Sequence, residues 1–169
     1  MLLFHNCQSL MKFKRLETAK TIYGMIVAAG FKNWDITVSY IDDSYMTKLN
    51  SKYRHKHSST DILSFPEYKG IIDPTSCPTK FLGNIFISTP FVLDYCKQEN
   101  INVDNQFRIL YAHGIAHLMG YDHETEEDYQ KMSIVEKRIL SNYKQFTEDY
   151  DPLAEGLFES WNWNSDLDL

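Results

Sequence analysis

The stretch His113-Gly-Ile-Ala-His117-Leu-Met-Gly120-Tyr-Asp-His123 constrains this chain more than any other. Residues four apart on an α-helix share one face, so His113 and His117 can aim two imidazoles at one point. Gly120 follows where a helix can reverse into the left-handed region without a Cβ penalty. That reversal can return His123 to the same point, so the fold must offer a helix ended by a glycine turn. Three neutral imidazoles on one side of a tetrahedron leave the fourth position to water, the arrangement of a catalytic rather than a closed structural zinc site. Zinc lowers the pKa of such water to about 7. A lone histidine on a helix is usually structural, and a pair arises by chance. Three of them, with a glycine placed to turn the chain, point to one bound Zn2+ and a hydrolytic centre.

The spacing is that of the His-Glu-x-x-His-x-x-Gly-x-x-His motif of metzincin proteases, with Gly114 in the place of the general-base glutamate. Peptide hydrolysis by that route needs a carboxylate beside the metal-held water, and glycine offers none. Glycine inside a helix costs about 1 kcal/mol relative to alanine. Gly114 therefore has a reason to be there: close packing against a strand, or room for a bulky substrate beside the metal.

A chain of 169 residues with a 43% hydrophobic fraction fits one domain with a proper core. No apolar run approaches the roughly 20 residues needed to span a bilayer, and Met1–His5 lacks the basic and apolar regions of a signal peptide. Cys7, Cys77 and Cys96 are odd in number and widely spaced, so they read as reduced, buried thiols. The expectation is a cytoplasmic protein with no membrane partner. The net charge of −6 hides a division. Residues 148–169 hold seven acids and no Lys or Arg, which leaves 17 basic and 16 acidic residues in 1–147. We expect a single metallohydrolase domain over 1–147 and an acidic C-terminal tail over 148–169. Within the domain, Lys48, Lys52, Arg54 and Lys56 interleave with His55 and His57, a basic segment that suits a polyanion or simply a solvated helix face. Acids cluster at Glu124, Glu126, Glu127 and Asp128.

Leu2–His5 reads as a short edge strand, and Lys12–Ala29 has helical apolar spacing with Gly30 as its cap. Trp34–Ile41 alternates with period two and is rich in β-branched and aromatic residues, which predicts a strand. Asp42, Asp43 and Ser44 offer caps for a helix to about Tyr53. Asp61–Phe65 predicts a short strand stopped by Pro66, and 67–80 a loop. Gly83–Ser88 predicts another strand, with Pro90 in the first turn of a following helix. Helices are expected over Val103–Met119 and Glu124–Tyr143. The fold class is α+β: a small mixed β-sheet packed with helices, with a zincin-like metal-site helix followed by a glycine turn.

The histidine stretch also resembles the signature of the YbeY family of bacterial metal-dependent endoribonucleases. Two further blocks are similar to that family's and stand in its order: Tyr53-Arg54 with Thr60-Asp-Ile-Leu-Ser-Phe-Pro66, and Gly83-Asn84-Ile85. The helix after the metal motif, with Met132, Glu136, Ile139 and Leu140, follows the family pattern too. Asn84 departs from the family's usual aspartate and Ala116 from its usual leucine, and the tail lies beyond the family core. The resemblance implies a zinc-dependent endoribonuclease of single-stranded RNA, acting in ribosomal RNA maturation (16S ribosomal RNA 3′-end processing) and ribosome quality control. It implies His113, His117 and His123 as zinc ligands and His113 and Arg54 as catalytic residues. It implies ribosomal RNA as partner, with ribosomal or assembly proteins beside it and no DNA. A guanidinium suits that task, because its paired donors match the charged non-bridging oxygens of a phosphodiester. Without the family, Arg54 at a helix end reads as a solvated C-terminal cation.

Asp122 is a candidate acceptor for a ligand imidazole. Asp61 reads as the cap of its strand, and Tyr121 as a packed turn aromatic. Ser64 points away from Leu63 and Phe65 if its segment is a strand, toward the cleft. Two other functions remain open from the residues alone: a metalloprotease with its base supplied from elsewhere, and a non-catalytic, metal-containing ribosome assembly factor.

Overall fold

In a computed structural model of the protein, residues 2–8 and 10–147 are described. The acidic segment 148–169 lies outside them. Four strands and five helices run in the order β1 (Leu2–Asn6), α1 (Arg15–Ala28), β2 (Asp35–Ile41), α2 (Asp43–Arg54), β3 (Ile62–Pro66), β4 (Phe81–Ser88), α3 (Thr89–Glu99), α4 (Val103–Leu118) and α5 (Glu126–Asn142), closed by a 3₁₀ turn, Tyr143–Phe146. The sheet order is β1-β2-β4-β3, with β1 parallel to β2, β2 parallel to β4, and β3 antiparallel to β4. The fold is the mixed-sheet α+β arrangement that the sequence predicts.

β2 departs from its predicted alternation. Six of its seven residues, from Ile36 to Ile41, are buried, including Thr37 and Ser39 on the positions that alternation assigns to solvent. A central strand with helices on both faces has no solvent side, so its pattern says strand without saying which face is wet. β3, at the sheet edge, keeps the alternation: Ile62 joins the main core, while Leu63 packs with Ile41, Met46 and Leu49 in a second cluster under α2. Ser64 therefore shares the face of Ile62, the side on which α4 crosses β3.

Local chemistry fixes the helix ends near the site. The Asp42 carboxylate caps α2 by accepting from the backbone N–H of Tyr45 at 2.7 Å, and Lys52 and Arg54 lie in its last turn, where cations offset the helix dipole. The acids Glu126, Glu127 and Asp128 sit in the first turn of α5 behind its Thr125 cap. That placement at a helix N-terminus explains the acidic cluster without a ligand. Among the described residues, no helix is long and apolar enough to cross a membrane.

Candidate metal centre

α4 is buried along most of its length, through Phe107, Leu110, Tyr111, Ala112, Gly114, Ile115, Ala116 and Leu118. Gly114 lets it lie this close to the sheet: a Cβ there would stand 2.8 Å from Ile85 Cδ1 and 3.1 Å from Ile62 Cδ1. The glycine packs against strands, so position 114 offers no space for substrate. Ala116, fully buried in the core, is likewise a packing residue.

The helix ends in a Schellman motif. Gly120 N–H donates to His117 C=O at 2.9 Å and Tyr121 N–H to Ala116 C=O at 3.1 Å, with Gly120 at φ +90°. Two conditions demand glycine there, the left-handed backbone and the Gly70 carbonyl, with which a Cβ would collide. The reversal returns His123 toward α4. Ring nitrogens of His113, His117 and His123, one from each and able to hold an ion, all lie within 4.8 Å of one another.

Hydrogen bonds at the far side of two rings fix their tautomers. His117 Nδ1 stands 3.0 Å from Tyr121 C=O, and a carbonyl can only accept, so Nδ1 carries the proton. His113 Nδ1 stands 2.7 Å from Glu136 Oε1 on α5 and donates to that carboxylate. With Nδ1 carrying the proton, the neutral form of either ring has its lone pair on Nε2, and the two Nε2 atoms face each other at 3.2 Å. Two lone pairs facing each other repel unless a proton or a metal ion lies between them. Nitrogen ligands at about 2.0–2.1 Å from one tetrahedral ion are themselves about 3.3 Å apart. Burial, helped by the neighbouring His113 imidazole, pushes His117 down to about 4, so it is neutral and ready to ligate at pH 7. The donor set fits a divalent transition metal.

Asp122 does not hold a ligand imidazole: its Oδ1 is 4.0 Å from His117 Nδ1, whose proton already goes to Tyr121, and it accepts from His123 N–H at 2.8 Å. Asp122 instead fixes the backbone of the third histidine. Asp61 accepts from Ile62 N–H at 2.8 Å and caps its strand as expected. Tyr121 packs on the core and also lines the cleft. The sequence assigns Glu136 no role. It is a contact between two helices 23 residues apart, which no local spacing encodes.

Two cavities meet at the histidines. The larger, about 670 Å³, runs from His117 and His123 along Tyr121, Tyr68 and Lys69. The smaller, about 160 Å³, holds His113, His117 and His123 with Thr60, Asp61 and Ile62. Arg54 and Ser64 line both. Arg54 thus joins the histidines although 59 positions separate it from His113. It has no ion-pair partner among the described residues. Asn84 sits on β4 opposite Phe65 and lines neither cavity.

A family model described as endoribonuclease YbeY matches residues 5–144. The endoribonuclease YbeY of Thermodesulfovibrio yellowstonii is 44% identical over 110 residues, covering 64% of this chain and 67% of that one. The Treponema denticola protein of the same name is 34% identical over 114 residues, covering 67% and 73%. A solution structure of a Thermotoga maritima protein superposes with a TM-score of 0.54 at 20% identity, covering 90% of this chain and 98% of that one, which supports the fold.

Proposed function

The chain belongs to the endoribonuclease YbeY family, and from that premise we propose that it hydrolyses single-stranded RNA with a zinc ion held by His113, His117 and His123. Its client is ribosomal RNA undergoing maturation, and Arg54 carries the phosphate. One observation supports the reading above the others: Arg54, free of any ion pair among the described residues, lines the cavity that holds all three histidines and the larger one that His117 and His123 share. A guanidinium beside a metal centre is what a phosphodiester under attack requires, because charge gathers on its non-bridging oxygens.

When bound, zinc supplies Lewis acidity at neutral pH. The chain's own residues do the rest. Glu136 and the Tyr121 carbonyl hold the Nδ1 protons of His113 and His117 and so keep both Nε2 lone pairs aimed inward. Asp122 holds the His123 backbone, and the glycine turn lets that residue close the triad. Arg54 binds and orients the phosphate. The exposed Lys52, Tyr53, Lys56 and His57 continue from Arg54 around the end of α2, a basic run suited to the adjoining backbone of a strand. Gly114 faces isoleucines, so nothing supports the peptidase alternative.

The test is purified full-length chain with a labelled single-stranded RNA and with casein. We expect RNA cleavage that chelator abolishes and zinc restores, untouched casein, and about a hundredfold slower cleavage by Arg54→Ala. Chelator-insensitive RNA cleavage, or cleavage of casein instead, overturns the reading.

A further inference from the structure

Three buried side-chain oxygens lack a hydrogen-bond partner among the described residues: Asn50 Oδ1, Thr89 Oγ1 and Ser64 Oγ. Asn50 is partly satisfied, since its amide donates to Ser58 C=O at 2.8 Å, and neither Asn50 nor Thr89 lines the cavities at the histidines. Ser64 lines both, together with Arg54, His117 and His123.

Its place in the sheet sharpens the anomaly. Ser64 pairs with Ile85 across β3 and β4 and shares the face of Ile62, and both isoleucines press on Gly114 of α4. An apolar residue would continue that packing at no cost. A hydroxyl without a partner costs about 1–3 kcal/mol of desolvation, so a serine here weakens the fold unless something outside the chain completes it. The hydroxyl turns about one bond, so a χ1 step of about 120° suffices to aim it at an incoming group.

We infer that Ser64 is a substrate-binding residue, whose hydroxyl donates a hydrogen bond to a non-bridging oxygen of the RNA phosphodiester that Arg54 also grips. The inference rests on the endoribonuclease reading above. Arg54 selects phosphate as the acceptor, because it lines the same two cavities as Ser64. The hydroxyl gives the phosphate a neutral donor from the rigid sheet, opposite a charged donor at the end of a long, mobile side chain. Sequence makes the residue conspicuous only as the polar position between Leu63 and Phe65.

The experiment compares the parent with Ser64→Ala in three measurements. The first is binding of single-stranded RNA to metal-free protein, which cannot be confused with hydrolysis. The second is kcat and KM of the zinc-loaded protein, and the third is thermal unfolding without RNA. We expect about tenfold weaker binding and about a hundredfold lower kcat, because a charge-assisted donor to a developing oxyanion is lost. We expect unfolding unchanged or shifted upward, because the variant deletes an unsatisfied group. Parent-like binding and kcat make the hydroxyl a bystander and overturn the inference. A large drop in unfolding temperature assigns it to the fold and overturns it equally. If the parent binds RNA but never cleaves it, the endoribonuclease reading fails, while the binding arm still decides whether Ser64 grips phosphate. If the parent neither binds nor cleaves RNA, both fall.

Discussion

α4 carries two clusters of side chains that meet their buried polar groups in opposite ways. Near its middle, the Tyr111 hydroxyl pairs with that of Tyr40 at 2.7 Å, and both rings sit in an aromatic cluster with Phe13 and Phe107. Every polar atom there has a partner from the chain. On the cleft face of the same helix, the Nε2 atoms of His113 and His117 face each other at 3.2 Å, and the buried hydroxyl of Ser64, without a partner among the described residues, lies on the wall of the same cavity. The first cluster is complete when the chain folds; the second, in the function proposed, is completed by an ion and a substrate. One helix thus separates groups that serve stability from groups that cost it.

The largest effect should come from breaking the incomplete cluster. His117→Ala removes the ligand between the other two, and we expect metal content to fall from about one ion per chain to near none, with RNA cleavage at background. Elemental analysis after purification reads it. Full metal occupancy in this variant would show that the histidines are not the ligands. A second, structural break is Gly114→Glu, which restores the metzincin sequence. Because position 114 faces Ile85 and Ile62, the carboxylate is driven into the sheet. We expect a loss of about 3 kcal/mol or more by denaturant unfolding and no casein cleavage.

The same contrast explains what could be read from sequence. The three candidate ligands and the glycine turn lie within one short stretch, where local spacing places them. The strands and the mixed sheet were legible because β-branched runs between turn residues are a local signal, although the burial of both faces of β2 was not. Gly114 left packing and substrate space as equal explanations, because only the positions of Ile62 and Ile85 decide between them. Glu136, the Tyr121 carbonyl and the displacement of Asp122 from its expected role are tertiary facts. They depend on where α5 crosses α4 and how the turn after Gly120 closes, and no residue spacing carries either.

Smaller effects should separate the clusters by what they support. Glu136→Gln keeps the shape but weakens the anchor of His113. We expect about 10–100-fold lower metal affinity, by competition with a chelating dye, and little change in folding stability of the metal-free protein. Tyr111→Phe should do the reverse. It strands the buried Tyr40 hydroxyl at a cost of about 1–3 kcal/mol in unfolding, and leaves metal affinity and cleavage at parental values. If both variants lose metal, α4 transmits strain between its two faces and the division between them fails.

pH gives the most delicate comparison, because the clusters should fail at opposite ends of the scale. In metal-free protein, burial holds His117 at about 4, below its ordinary value near 6.5, so the folded state takes up fewer protons than the unfolded one between those values. The stability tied to that neutral ring is present above the unfolded value and is lost as pH falls toward 4. For Tyr111 and Tyr40, burial raises both hydroxyls above 10, so the folded state keeps protons that the unfolded chain releases. Their contribution is present below about 10 and falls away as pH rises beyond it. Chelator-treated protein should therefore show a stability plateau with an acid limb and an alkaline limb. His117→Ala should shrink the acid limb alone and Tyr111→Phe the alkaline limb alone, the latter only in part because Tyr40 stays buried. Saturating zinc should carry the plateau further into acid, since the bound ion competes with protons for the imidazoles, while leaving the alkaline limb where it was. An alkaline limb that moves with zinc would mean that the tyrosine pair and the histidine triad are one coupled unit rather than two independent faces of a helix.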